Sequence, residues 1–222
     1  MSLEKIIIEP PQQATSCVIW LHGLGDSGAG FAPIVPALHL PANHTIRFIF
    51  PDAPQQAVTI NQGAVMRSWY DIKSMALHSR ADLKDVEKSE SRLHALIQSQ
   101  LDDGIASHKI VIAGFSQGGV MSLYTGLRYP LPLAGILAMS CYLANGDKLP
   151  AQCSIANKHI PILQHHGKQD EVVPFAAGKS AHQLLEDNGY SAQWQSYDMP
   201  HTLIEAQLSD ISSWIQETLS KS

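Results

Sequence analysis

Apolar residues gather in short runs bounded by turn formers, and longer stretches with helical spacing fall between them. The runs predict strands at Lys5 to Ile8, Cys17 to Leu21, Ile46 to Phe50, Lys109 to Ala113, Ala134 to Ser140, Ile160 to His165 and Ala192 to Tyr197. Several of these, such as Val18-Ile-Trp-Leu21 and Ile110-Val-Ile-Ala113, are apolar without interruption, as strands buried on both faces are. From about Asp82 to Leu101, residues Leu83, Val86, Leu93, Leu96, Ile97 and Leu101 mark one face of a helix, with Asp82 as N-cap and Gly104 as stop. Further helices are predicted from about Gln117 to Tyr129, Ala176 to Asn188 and Leu203 to Leu219. This alternation predicts an α/β fold, a mostly parallel seven-stranded central sheet flanked by helices. One long segment, Asp52 to Arg80, shows no obvious helix, and a loop of that length in a compact fold is usually functional.

Neither a repeat nor an interdomain linker interrupts the pattern, so residues 1–222 are expected to form a single domain. Hydrophobic residues make up 45% and charged residues 16%, which excludes a disordered or fibrous chain. A net charge of -5 without a Lys/Arg run leaves no electrostatic footprint for nucleic acid. The apolar run near the N-terminus is too short for a signal peptide, and none could span a bilayer. Cys17, Cys141 and Cys153 lack metal-ligand spacing and suit a reducing compartment, so a cytoplasmic location is expected.

The predicted strand ending at Ala113 runs into Gly114-Phe-Ser116-Gln-Gly118 and then a helix, which is Gly-x-Ser-x-Gly in a strand-turn-helix setting. Such a turn is sharp and strained, needs small flanking residues, and lifts the serine hydroxyl clear of the sheet. A nucleophilic serine needs a base, and in this arrangement the acid and then the histidine follow it along the chain. His201 follows the last predicted strand and precedes the last helix, which puts it on the same sheet edge as Ser116. His22 precedes Ser116 and suits a structural role, as do His165 and His166. Asp170 lies in the loop after the sixth predicted strand and is the natural acid, with Glu171 and Asp198 as rivals. A tetrahedral oxyanion needs waiting donors. The N–H of Gln117 offers one and that of Leu24, in the glycine-rich loop Leu21-His-Gly-Leu-Gly-Asp-Ser-Gly28, offers another. That loop has neither the Gly-x-Gly-x-x-Gly spacing nor the Gly-Lys-Ser/Thr ending of a phosphate loop.

At these residues the chain resembles the acyl-protein thioesterase, lysophospholipase and bacterial carboxylesterase family of small α/β-hydrolases. The resemblance rests on Leu21-His-Gly-Leu-Gly-Asp26, Phe50-Pro-Asp-Ala-Pro54, Ser68-Trp-Tyr-Asp71, Gly114-Phe-Ser-Gln-Gly-Gly119, His166-Gly-Lys-Gln-Asp170-Glu-Val-Val-Pro174 and Met199-Pro-His201, in that order. It implies an α/β-hydrolase fold, Ser116, Asp170 and His201 as the triad, and the amides of Leu24 and Gln117 as the oxyanion hole. It also implies that the Gln62 to Leu77 loop, with Met66, Trp69, Met75 and Leu77, flanks an apolar acyl-binding groove. Family members commonly end in Gly-His-Ser where this chain has Pro200-His-Thr202, so the turn holding the base is expected to differ slightly.

The expected reaction is hydrolysis of short- to medium-chain acyl esters or thioesters, lysophospholipids and acylated proteins among them, through an acyl-enzyme and with no cofactor or metal. An acyltransferase would use the same triad. A non-catalytic binding protein on a hydrolase fold would have no need of an intact Ser, Asp and His in order. The strands and helices use nearly the whole chain, which leaves no room for an inserted cap domain. Exposed apolar loop residues would favour a homodimer or a transient contact with a membrane surface.

Overall fold

All the strands that the apolar runs predict are present in the computed structural model, which describes residues 3–221 apart from 75 and 77–79. They are β1 (Lys5–Ile8), β2 (Ser16–Leu21), β3 (Ile46–Pro51), β6 (Ile110–Phe115), β7 (Gly135–Met139), β8 (Ile162–Gly167) and β9 (Ala192–Tyr197). They form one 7-stranded sheet in the order β1-β3-β2-β6-β7-β8-β9. Only β1 runs antiparallel to its neighbour. Register sets the chemistry in line: Leu21 pairs with Gly114, Gly114 with Ala138, Met139 with His165, and Gly167 with Tyr197. The carboxyl ends of β2, β6, β8 and β9 therefore open onto one edge of the sheet, which is where open α/β sheets bind their ligands.

Side chains alternate across this sheet as strand geometry requires. Cys17, Ile19, Leu21, Ile110 and Ile112 enter one core with the inner faces of α3 (Leu83–Asp102), α4 (Gln117–Arg128) and α6 (Phe175–Asp187). Val18, Trp20, Val111 and Ala113 enter the other, where Ile211, Trp214 and Ile215 of α7 (Glu205–Lys221) cover them. The short helices α1 (Gly28–Phe31) and α2 (Ile34–Ala37) pack on that second side through Phe31 and Ile34. Asp82 caps α3 as expected, accepting from the N–H groups of Lys84 and Asp85. Among the described residues no helix is long and apolar enough to cross a membrane.

The segment from Asp52 to Arg80 departs from expectation. It holds an antiparallel hairpin, β4 (Gln55–Val58) and β5 (Ala64–Arg67), turned at Gln62 and Gly63, both with positive φ. Most of its residues are exposed or half-exposed, so no apolar run announces it. A further short helix, α5 (Leu149–Gln152), follows β7 and was equally silent in the pattern.

Alternation along β8 also separates the paired histidines. His166 stacks on Trp194 and meets Phe175 edge-on, while His165, 1% exposed, meets Tyr197 edge-on. The Tyr197 hydroxyl donates to Asp210 at 2.6 Å, so its oxygen is left to accept from His165 Nε2 at 3.3 Å. Burial pushes the His165 pKa down to about 4, only partly offset by the Asp210 charge. The sign of the consequence follows from proton binding. Between about pH 4 and 6.5 the unfolded chain takes up a proton at this position and the folded chain does not, so stability falls as pH drops through that window. Urea unfolding should show native His165 contributing about 3 kcal/mol of this loss. In His165→Gln the dependence should be shallower by close to one proton; an unchanged slope would show that His165 is protonated without penalty.

Candidate active site

The turn after β6 places Ser116 at φ 55°, ψ −119°, a conformation that side-chain-bearing residues rarely adopt. Its neighbours explain how the strain is held. Ser116 N–H donates to Met139 O at 2.8 Å, and Val120 N–H donates to Ser116 O at 3.1 Å. The flanking glycines leave no room for a side chain: a Cβ on Gly114 would lie 2.1 Å from Gly118 O, and one on Gly118 would lie 2.2 Å from Leu21 O. The nucleophile turn is thus pressed against the end of β2.

His201 reaches this hydroxyl from the loop after β9, with Nε2 2.9 Å from Ser116 Oγ. Its Nδ1 lies 2.7 Å from Asp170 Oδ2. Since the carboxylate can only accept, Nδ1 carries the proton and Nε2 is free to accept from serine. Asp170 Oδ1 in turn accepts from Val172 N–H at 2.9 Å and Val173 N–H at 2.8 Å. Burial alone would raise the Asp170 pKa, but the bonds from His201 and Val173 outweigh it and hold the carboxyl below its ordinary value. The rivals stand apart: Asp198 is 75% exposed and pairs with Lys168, and Glu171 faces solvent. His166 Nε2 donates to Val173 O at 2.8 Å and so braces the segment that cradles Asp170. The acid and base loops meet where Gln169 N–H donates to Met199 O, and Gly167 lies so close that a Cβ would be 2.3 Å from that same oxygen.

Leu24 sits in the loop after β2, whose Gly23 lies against the serine: a Cβ there would be 3.4 Å from Ser116 Cβ. Among the described residues Leu24 N–H has no backbone acceptor, and Gln117 N–H, first in α4, has none within its helix. Both are available to an incoming oxyanion. Several tethers shape the Leu24 loop. His22 Nδ1 donates to Gly23 O at 2.6 Å, and its Nε2 accepts from Ala53 N–H at 3.0 Å, a neutral ring used at both nitrogens. Burial lowers its pKa and keeps it neutral. Gly25 N–H donates to Arg67 O at 2.9 Å, and Asp52 accepts from Gly28 N–H at 2.7 Å while pairing with Arg67 at 3.0 Å. His22 thus takes the structural role expected of it, whereas the anchoring roles of Asp52 and Arg67 were not read from the sequence.

The same holds for the side chain of Gln117. It accepts from Trp69 N–H at 2.8 Å and donates to Ser68 Oγ at 3.0 Å and Tyr70 O at 2.7 Å, riveting α4 to the Ser68-Trp-Tyr segment. Of the residues expected around an acyl groove, Met66 is half-buried with its sulfur beside Gly25. Trp69 requires a correction: it is 0% exposed, and its indole N–H donates to His22 O at 2.9 Å. A ring with no accessible surface cannot line a groove. Trp69 supports the Leu24 loop from beneath. Met75 and Leu77 lie outside the described residues.

Comparison with known proteins adds independent findings. A model of the phospholipase/carboxylesterase family matches residues 3–219. Acyl-protein thioesterase 1 of Schizosaccharomyces pombe is 42% identical over 84% of this chain and 82% of its own. Acyl-protein thioesterase 1 of Gibberella zeae is 34% identical over 98% of this chain and 96% of its own. The crystal structure of Arabidopsis thaliana SOBER1 superposes with a TM-score of 0.87 at 33% identity, over 92% of this chain and 99% of that one.

The buried position of Trp69 has a kinetic signature. Trp69→Phe keeps an aromatic ring but removes the indole N–H that donates to His22 O, so the Leu24 loop loosens and kcat/KM should fall by roughly ten- to a hundredfold. The factor should be the same for acetyl and octanoyl esters. A loss that grew with acyl length would return Trp69 to the groove.

Proposed function

The chain belongs to the phospholipase/carboxylesterase family of α/β-hydrolases and is an ester or thioester hydrolase, and from that premise we propose that Ser116, His201 and Asp170 cleave its substrates through an acyl-enzyme. The observation that carries this reading is the continuous relay from Ser116 Oγ through His201 to Asp170, at 2.9 and 2.7 Å. Ser116 Oγ attacks the acyl carbon as its proton passes to His201 Nε2. The carbonyl oxygen becomes an oxyanion facing the N–H groups of Leu24 and Gln117. The intermediate collapses by breaking the bond to the alcohol oxygen or thiol sulfur, which leaves with the proton from His201 Nε2. Water, deprotonated by the same nitrogen, then attacks the acyl carbon and releases the acid and Ser116. Asp170, held as a carboxylate throughout, fixes the ring's tautomer and stabilises the imidazolium between steps.

The substrates are short- to medium-chain acyl esters or thioesters, and the thioesterase names of its relatives support including acylated thiols. Ser116 and His201 are half-buried and not sealed, which favours water as acceptor over the transfer of the acyl group to another alcohol. Met66, whose sulfur lies beside Gly25 of the Leu24 loop, would meet the acyl chain.

A fluorophosphonate should label Ser116, and Ser116→Ala should lose both labelling and ester turnover. Asp170→Asn should keep the fold and lower kcat by roughly 10³- to 10⁴-fold, because the wrong tautomer of His201 is then favoured. Asp198→Asn should be nearly silent. If Asp198→Asn were the crippling change, the acid assignment would be wrong.

A further inference from the structure

An open cavity of about 300 Å³ lies beside His201. Phe31 of α1, Ile34 of α2, Phe115 at the end of β6, Leu203 just before α7 and Leu208 in its first turn form its apolar wall, and Asp26, Gly30 and Thr202 complete the lining beside His201. Each apolar member is half-buried, one side packed on the second core and the other left bare. The Phe115 ring is 4.7 Å from the His201 ring, so the apolar surface continues up to the imidazole. Neither Met66 nor Trp69, the described residues expected from the sequence to flank a groove, contributes to it. Bare apolar surface held on the sheet edge and on helices, next to a reactive group, is the usual make-up of a substrate site.

We propose that this cavity is the leaving-group subsite, and that it selects substrates whose alcohol or thiol portion is apolar. The inference rests on His201 being the acid that protonates the leaving group. At the moment of cleavage the departing oxygen or sulfur must lie within hydrogen-bond reach of His201 Nε2. The chain it carries then continues into the space that His201 bounds, which is this cavity. The acyl carbon is held instead on Ser116 Oγ, with its oxygen toward Leu24 and Gln117, and the acyl chain leaves in another direction. Mobile cover is not needed, because the walls are already fixed by the core behind them.

The test separates the two ends of the ester. Butanoate esters of straight-chain alcohols from ethanol to octanol share their leaving ability and differ in apolar length, and kcat/KM reports every step through departure of the alcohol. For the wild-type protein it should rise by roughly two- to fourfold per carbon until the cavity is filled. Ile34→Trp, which fills the cavity, and Leu208→Ser, which wets it, should each lower the octyl-to-ethyl ratio by at least about tenfold. In a parallel series of ethyl esters with graded acyl chains, both variants should keep the wild-type slope. A wild-type rate indifferent to the alcohol, or variants that alter the acyl slope and spare the alcohol slope, would overturn the subsite. Turnover surviving in Ser116→Ala would instead remove the mechanism beneath it, so the two failures are distinguishable.

Discussion

Everything at the sheet edge depends on a contact between backbones. The Ser116 turn can stand at its strained angle only because Gly118 lies flat against the carbonyl of Leu21 and Gly114 against that of Gly118, with no side chain between them. Backbone strain of this kind costs on the order of 1–3 kcal/mol and persists only where surroundings overdetermine it. Here the parallel register of β2 with β6 and of β6 with β7 fixes both sides of the turn. The contact that relieves the crowding also brings the loop after β2 up to the serine. The Ser116 hydroxyl and the N–H groups of Leu24 and Gln117 are therefore set by the same packing.

Around that contact, buried polar groups hold the loops. His22 ties the Leu24 loop to the end of β3, Asp52 and Arg67 tie it to the hairpin, and Gln117 ties α4 to the Ser68-Trp-Tyr segment. Their hydrogen-bonding atoms find partners within this set, which is what makes a buried polar network rigid and not costly. Preorganised donors need not reorient when charge develops on a carbonyl oxygen, and this is the largest contribution such sites make to rate. The histidines beneath the edge, His22 and His166, stay neutral through burial and serve as braces.

Much of this was legible in the sequence, for physical reasons. Strands buried on both faces are written as unbroken apolar runs, so β2, β6 and β7 could be placed within two residues. Ser116, Asp170 and His201 each follow a parallel strand of the sheet, so their meeting at one edge follows from the topology. The β4–β5 hairpin left no trace because its residues are mostly exposed and carry no alternation strong enough to notice. Trp69 was misplaced because a tryptophan in a loop near the site looks the same in sequence whether it faces ligand or core; only the hydrogen bond to His22 O decides. The cavity beside His201 was hidden for a different reason. Its walls come from α1, α2, β6 and α7, residues that only the fold brings together.

On the proposed route the acyl group passes through a covalent bond to Ser116. Rapid-quench mass spectrometry of the intact protein, taken in the first turnovers of a p-nitrophenyl butanoate, tests it most directly. A transient species heavier by one butanoyl group should appear, localised by peptide mapping to the segment holding Ser116 and lost as turnover completes. Rapid ester cleavage with no adduct at any quench time, under conditions where deacylation limits the rate, or an adduct on another residue, would contradict it.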